Sequence, residues 1–334
     1  MASDTDPSAD RPASPGPART LLFNGFRLFV TIAILVGIGF AVRSQWSEVR
    51  GTVHHLPWWS LIASTIFILL GMGAAVRAWQ HTLGALGRPV PAFDAARCYL
   101  VGQLGKYLPG SVWAFVLQAE LARRAGVSRA VAFVAVLVTV GLSTAAALVV
   151  GLAGLPALFR IGTTAAVAVL VLAPIALVCA YPPVLTRLVN VALGLLRRER
   201  LHRPLTLHKI GLAFGWSAAS WTAYGVHLWL LASSLGGFGT DRLVASVGAI
   251  ALAMCAGVLV FVVPSGLGVR EAVIVAALTP VTDAGTALAL ALTSRLLFTL
   301  CEVLAGGAAA LAGSPALRNA LVHEQSRVPL PSEA

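Results

Sequence analysis

Acids and lysines are scarce in this chain. Asp and Glu number 13 among 334 residues, and lysine occurs at positions 106 and 209 alone. Glycosyl or aminoacyl transfer on a lipid carrier would want a carboxylate base near the donor site. Several of the acids sit in the tails, so an enzyme has little to be built from. Cysteine is also sparse, and Cys98, Cys179, Cys255 and Cys301 stand apart within apolar segments. Without C-x-x-C or Cys/His spacing they imply neither a disulfide framework nor a zinc site. His54-His55 make a poor chelate on their own and, beside Trp58-Trp59, fit an interfacial belt. His227, among Trp216, Trp221, Tyr224 and Trp229, fits a packed or hydrogen-bonded helix residue. No metal and no cofactor is expected.

Apolar sequence is abundant. Hydrophobic residues make up 58% of the chain, charged residues 11%, and the mean hydropathy is +0.85. That exceeds what a soluble core of this length needs. Apolar runs at 21–42, 58–80, 127–151, 161–181, 210–236, 243–263 and 285–313 each supply the roughly 20 residues of a spanning helix. Two further segments, 98–120 and 264–283, are too short or too interrupted for ordinary spans. The expected fold is all-α: a polytopic transmembrane bundle of about seven or eight spans with one or two broken or re-entrant segments.

Residues 1–20 are rich in Pro, Ser, Ala and charge and are expected to be a disordered tail. Residues 21–313 read as one transmembrane domain, and 314–334 as a short polar tail. The run at 21–42 lacks a small-x-small cleavage pattern before Arg43, so an uncleaved first helix is expected.

The net charge of +11 does not point to nucleic acid, because the basic residues lie between apolar runs. They are densest at 182–209, where Arg187, Arg197, Arg198, Arg200, Arg203 and Lys209 face one acid, Glu199. The positive-inside rule places that loop in the cytoplasm. Counting back puts Arg88, Arg97, Arg123, Arg124, Arg129 and the N-terminus there too, provided 98–120 enters and leaves on one side. A multi-pass plasma-membrane protein is expected. The side of the C-terminus depends on whether 264–283 crosses fully.

Three constellations carry candidate function. In Val101–Trp113, VGQLGKYLPGSVW, Gly105-Lys106 resembles the end of a phosphate loop but fails its spacing: Gly102 is too close, and Tyr107 stands where Ser or Thr is required. What the stretch has is a helix break, since Pro109 lacks an amide donor and Gly110 permits a turn. Gln103 and Lys106 share one face of the first arm, and Gln118 and Glu120 lie on the second. An ordinary proline kink is the simpler alternative. Non-helical backbone at membrane depth belongs where protein or a wet cavity satisfies it.

The second constellation is VPSGLGVRE, in which Pro264, Gly266 and Gly268 precede Arg270 and Glu271. A short helix over VREAVIVAAL would begin here, its free amides suited to an anion. Arg270 is able to grip phosphate with two parallel hydrogen bonds. Glu271 suits either capping and pairing with an Arg, or substrate contact. The third constellation is Arg295 and Glu302, seven residues apart and so on one face of the run at 285–313. Charges at that depth face a bundle interior or cavity, and a structural salt bridge is the alternative role.

Two interrupted segments at matching places in two halves are a pointer to a transporter site. Residue identities do not repeat, so the duplication is one of architecture only. At this point GQLGKYLPGSVW followed by Glu120, Arg123 and Arg124, and later VPSGLGVREAV, resemble the lysylphosphatidylglycerol synthase transmembrane region, a flippase-like family. The similarity spans most of residues 20–315, and PSGLGVRE is its more specific element. Many relatives have Gly-Gly where this chain has Ser265-Gly266.

The resemblance implies a helical bundle that moves aminoacylated phospholipids or other lipid-linked polar head groups between leaflets. Its expected partners are membrane lipids, whether anionic or aminoacylated phospholipid or a polyprenyl-linked substrate, and a separate lipid-modifying enzyme. Candidate head-group contacts are Gln103, Lys106, Arg270, Glu271, Arg295 and Glu302. Multidomain relatives carry a cytosolic aminoacyl-transferase domain, and only residues 314–334 follow the last run here, so lipid synthesis by this chain is not expected. A membrane-embedded transferase acting on lipid carriers, or an accessory subunit of an envelope-lipid enzyme, is the rival reading.

Overall fold

The computed structural model describes residues 43, 56–107, 113–161, 163–201, 203–259 and 268–313. Among them every regular element is helical. In chain order these are α1 (Trp58–Ala85), α2 (Ala92–Gln103), a 3-10 turn (Leu104–Tyr107), α3 (Trp113–Arg124), α4 (Arg129–Gly151) and a second 3-10 turn (Leu152–Gly154). There follow α5 (Leu155–Ile161), α6 (Thr163–Ala180), α7 (Pro182–Leu195), α8 (Leu207–Gly236), α9 (Thr240–Leu259), α10 (Val269–Leu278) and α11 (Ala284–Ala312).

Four helices among the described residues are long and apolar enough to cross a membrane: Trp58–Ala85, Arg129–Gly154, Thr240–Gly257 and Ala284–Ala312. A fifth span results if Ala166–Ala180 and Pro182–Leu195, bent by 76°, are taken together. The count is of the described residues, which leave out the run at 21–42, and it falls below the seven or eight expected for two physical reasons. Helix α8 is 30 residues long but is diluted by Ser217, Ser220, Tyr224 and His227, all buried against neighbouring helices. And the run at 161–181 does not pass straight into a loop. Tyr181 is extended, and Pro182 opens a new helix there, because proline suits a first helical turn and disfavours helical geometry in the residue before it. Residues 182–195 of the expected basic loop are therefore helix α7.

Outward faces are apolar, as a lipid-facing surface requires. Ile62, Ile66, Leu69 and Leu70 are exposed on α1, and Val167, Leu170, Val171, Ile175 and Val178 on α6. Inward faces use small residues and interhelical hydrogen bonds, the usual substitute for the hydrophobic effect between helices in lipid. The Ser64 hydroxyl donates to the His227 carbonyl at 3.0 Å, joining α1 to α8. The Ser220 hydroxyl donates to the Gly71 carbonyl at 2.8 Å in the same interface. Trp221 Nε1 donates to the Ser143 carbonyl at 2.8 Å and ties α8 to α4. His227 is fully buried, with Nε2 2.9 Å from Ser294 Oγ and its ring against Phe298, so it is a packed, hydrogen-bonded residue between α8 and α11.

Candidate functional site

The first interrupted segment consists of two 12-residue helices, α2 and α3, which pack on one another. Leu108–Val112, including the break proposed at Pro109 and Gly110, lie outside the described residues. Gln103 is the last residue of α2, and Lys106 occupies the 3-10 turn that follows. On the facing arm Gln118 is buried, while Glu120 binds Arg123 at 2.7 Å and Arg124 at 3.4 Å, away from the interior.

The second interrupted segment is described from Gly268 onward, so Pro264 and Gly266 also lie outside the described residues. Gly268 sits at φ +83°, a left-handed conformation that glycine adopts without the clash a Cβ brings. It opens the ten-residue helix α10, and its N–H donates to Glu271 Oε2 at 2.7 Å. The carboxylate in the first turn satisfies an orphan amide and complements the helix dipole.

Helix α11 joins the two segments, because it packs on α2, on the turn that carries Lys106, and on α10. Arg295 and Glu302 do not pair with each other. The Arg295 guanidinium donates to Glu271 Oε1, and the two side chains are 12% and 11% exposed. Two turns further on, Glu302 Oε1 lies 2.5 Å from Lys106 Nζ, and Tyr107 donates its hydroxyl to Glu302 Oε2 at 2.8 Å. Each interrupted segment is thus fastened to α11 by its own ion pair.

A cavity of about 460 Å³ lies beside these pairs, lined by Gln103, Lys106, Gln118, Tyr224 and Arg270, with Ser143, Thr144, Ser217 and Ser220 along its wall. Its size falls in the range that encloses a small ligand. Arg270 reaches it because Gly257 of α9 has no side chain: a Cβ there would lie 3.1 Å and 3.2 Å from Arg270 Cγ and Cδ. Among the described residues Arg270 belongs to none of the ion pairs. Its charge is nonetheless felt by Glu302, Arg295, Glu271 and Tyr107 around it.

The six candidate residues therefore divide. Gln103, Lys106 and Arg270 line the cavity, Glu302 anchors Lys106 from its rim, and Glu271 and Arg295 fasten α10 to α11. Sequence reasoning did not single out two contributors. One is Tyr107, whose hydroxyl shares Glu302. The other is the polar face of α8 formed by Ser217, Ser220 and Tyr224; its signal was the three- and four-residue spacing of polar groups in an otherwise apolar run.

Paired cations, amides and hydroxyls in a cavity within an apolar bundle form an environment for an anionic or zwitterionic polar group. Comparison with curated proteins gives no match. A family model described as the lysylphosphatidylglycerol synthase TM region matches residues 28–306, which include both interrupted segments and the cavity. With a helical bundle, several apolar spans and a match over most of its length, the chain belongs to the lysylphosphatidylglycerol synthase TM region family of membrane proteins, associated with lipid modification or transport.

Proposed function

We propose that this protein moves a phospholipid, or another lipid-linked polar head group, between the leaflets of the plasma membrane. The observation that carries the reading is the convergence of Lys106 and Arg270 on one cavity of about 460 Å³ whose remaining wall is largely apolar. Two cations in one cavity suit a phosphate, and a guanidinium binds it with two parallel hydrogen bonds. A cavity of this size holds a head group and leaves the acyl chains in the bilayer.

Glu302 is the built-in competitor of such a ligand, since it already occupies Lys106 at 2.5 Å. A phosphate arriving at Lys106 takes the place of the carboxylate, which then keeps the Tyr107 hydroxyl as its partner. Gln103 and Gln118 supply amides that accept or donate, as the remainder of a head group requires.

The test is reconstitution of the full chain into liposomes carrying fluorescent phospholipid, aminoacylated or not, with leaflet exchange followed by dithionite quenching. Exchange well above that of empty liposomes, reduced at least tenfold by Arg270→Ala, is expected. Exchange equal to that of empty liposomes overturns the proposal. Turnover of a lipid-linked sugar or aminoacyl donor by the same vesicles replaces it with a transferase.

A further inference from the structure

A second and larger cavity, about 940 Å³, lies where the C-terminal ends of α1 and α7 meet the N-terminal ends of α4 and α8. None of its residues lines the Lys106 cavity. Its wall carries Arg88, Arg197, Arg198, Arg200, Arg203 and Lys209 against one acid, Glu199. Among the described residues none of the six cations forms an ion pair. Topological bias explains why the loop at 182–209 is basic, but it does not require five of its cations to gather with Arg88, more than a hundred residues earlier, around one cavity.

The wall is also held in place. The Leu201 amide donates to Asn190 Oδ1 at 2.9 Å, and the Leu205 amide to Thr186 Oγ1 at 3.1 Å, so the strand of loop bearing Arg200 and Arg203 is tied along α7. Leu205 is buried in the core beneath it, with Leu201 packed alongside. Lys209 Nζ reaches the Gly84 carbonyl at 3.4 Å, closing the far side onto α1. Within two positions of lining residues in the chain, Leu195 and Leu207 are 81% and 70% exposed. Clustered positive charge inside and bare leucine outside is the pattern of an amphiphile with an anionic head.

We propose that this cavity binds the head group of an anionic lipid carrying two or more phosphate charges, with its acyl chains over Leu195 and Leu207. A single phosphate would leave most of the six cations uncompensated, whereas a two-phosphate head group answers more of them. Basic pockets between membrane helices recognise such head groups through charge and hydrogen bonding together.

The test titrates the purified full chain in neutral detergent with pyrene-labelled cardiolipin, phosphatidylglycerol and phosphatidylcholine, and separately with inorganic pyrophosphate. The triple variant Arg198→Gln, Arg200→Gln, Arg203→Gln is compared with Arg124→Gln, Arg129→Gln, Arg187→Gln, which removes equal charge outside the cavity. Cardiolipin is expected to bind tightest. The first triple should weaken it by about a hundredfold at low ionic strength, and the second by about threefold or less. Equal losses in both triples would mean that net charge alone attracts lipid and would overturn the site. Binding of pyrophosphate with no preference for cardiolipin would overturn presentation by a lipid. Should the first triple fail to show a cooperative melt, salt titration of the intact chain decides: cardiolipin binding undiminished at about 0.5 M salt refutes the site.

Discussion

Lys106 and Glu302 are separated by 196 positions in the chain and 2.5 Å in space. The lysine is 24% exposed and the glutamate 12%, so each charge depends on the other for much of its solvation. Removing one partner of a buried pair leaves an uncompensated charge and costs more than removing both. Lys106→Met should destabilise by roughly 3 kcal/mol, and the double variant Lys106→Met, Glu302→Gln by less than Lys106→Met alone. Thermal melts of the four proteins in one detergent complete the cycle. Additive losses would show that the two side chains are not coupled.

Glu271 has two tasks, receiving the Gly268 amide and pairing with Arg295. Glu271→Gln keeps an acceptor for the amide but gives up the charge, so it should cost about 1–2 kcal/mol less than Glu271→Ala. Tryptic cleavage at Arg270 reads the local effect: faster cutting is expected in both variants and fastest in Glu271→Ala. Equal rates in the two variants would remove the capping contribution.

Gly257 offers a separation of stability from function. An added methyl would lie 3.1 Å from Arg270 Cγ and push the guanidinium out of its position by a few tenths of an ångström. Alanine is also the better helix former by up to about 1 kcal/mol. Gly257→Ala should therefore melt at the same temperature or higher while lipid exchange in liposomes falls severalfold. Unchanged exchange would show that the placement of Arg270 is not limiting.

Asp283 caps α11 by accepting the Thr286 amide at 2.9 Å, and hydrogen bonds from Thr286 hold its carboxyl below the ordinary value of 3.8. A depressed carboxyl contributes stability above its unfolded pKa and loses it as the pH falls through the folded one. The melting temperature of Asp283→Ala should thus lie below that of the intact chain at neutral pH, and the gap should narrow steadily below pH 3.8. A gap independent of pH would assign the effect to helix propensity instead of the cap.

Much of the architecture was legible in the residues because membrane helices satisfy their own backbones, and long apolar runs leave few alternatives. The runs at 58–80, 127–151 and 285–313 fall on α1, the Arg129–Gly154 helix and α11, overrunning them by two residues at most. Where neighbours decide, the sequence was less informative. The polar residues of α8 lower its hydropathy whichever way they point, and the carbonyls of Gly71 and Ser143 that receive Ser220 and Trp221 lie on other helices, which no window of α8 contains. The bend at Tyr181 was marked by Pro182-Pro183 yet hidden by the basic residues that follow. Arg295 and Glu302 could be placed on one face from their spacing, but their partners Glu271 and Lys106 come from different parts of the chain.

Those two ion pairs also bear on how the chain assembles. The single helix α11 presents an arginine and a glutamate two turns apart, and each is answered by the opposite sign from a different interrupted segment. If the segments were exchanged, Lys106 would meet Arg295 and Glu271 would meet Glu302, like against like in a medium that screens poorly; a slide of α11 by two turns would bring one such pair together and leave the other segment's charge unanswered. The arrangement works as a keyed plug: the order of charges along α11 admits one docking of the two segments and rejects its mirror.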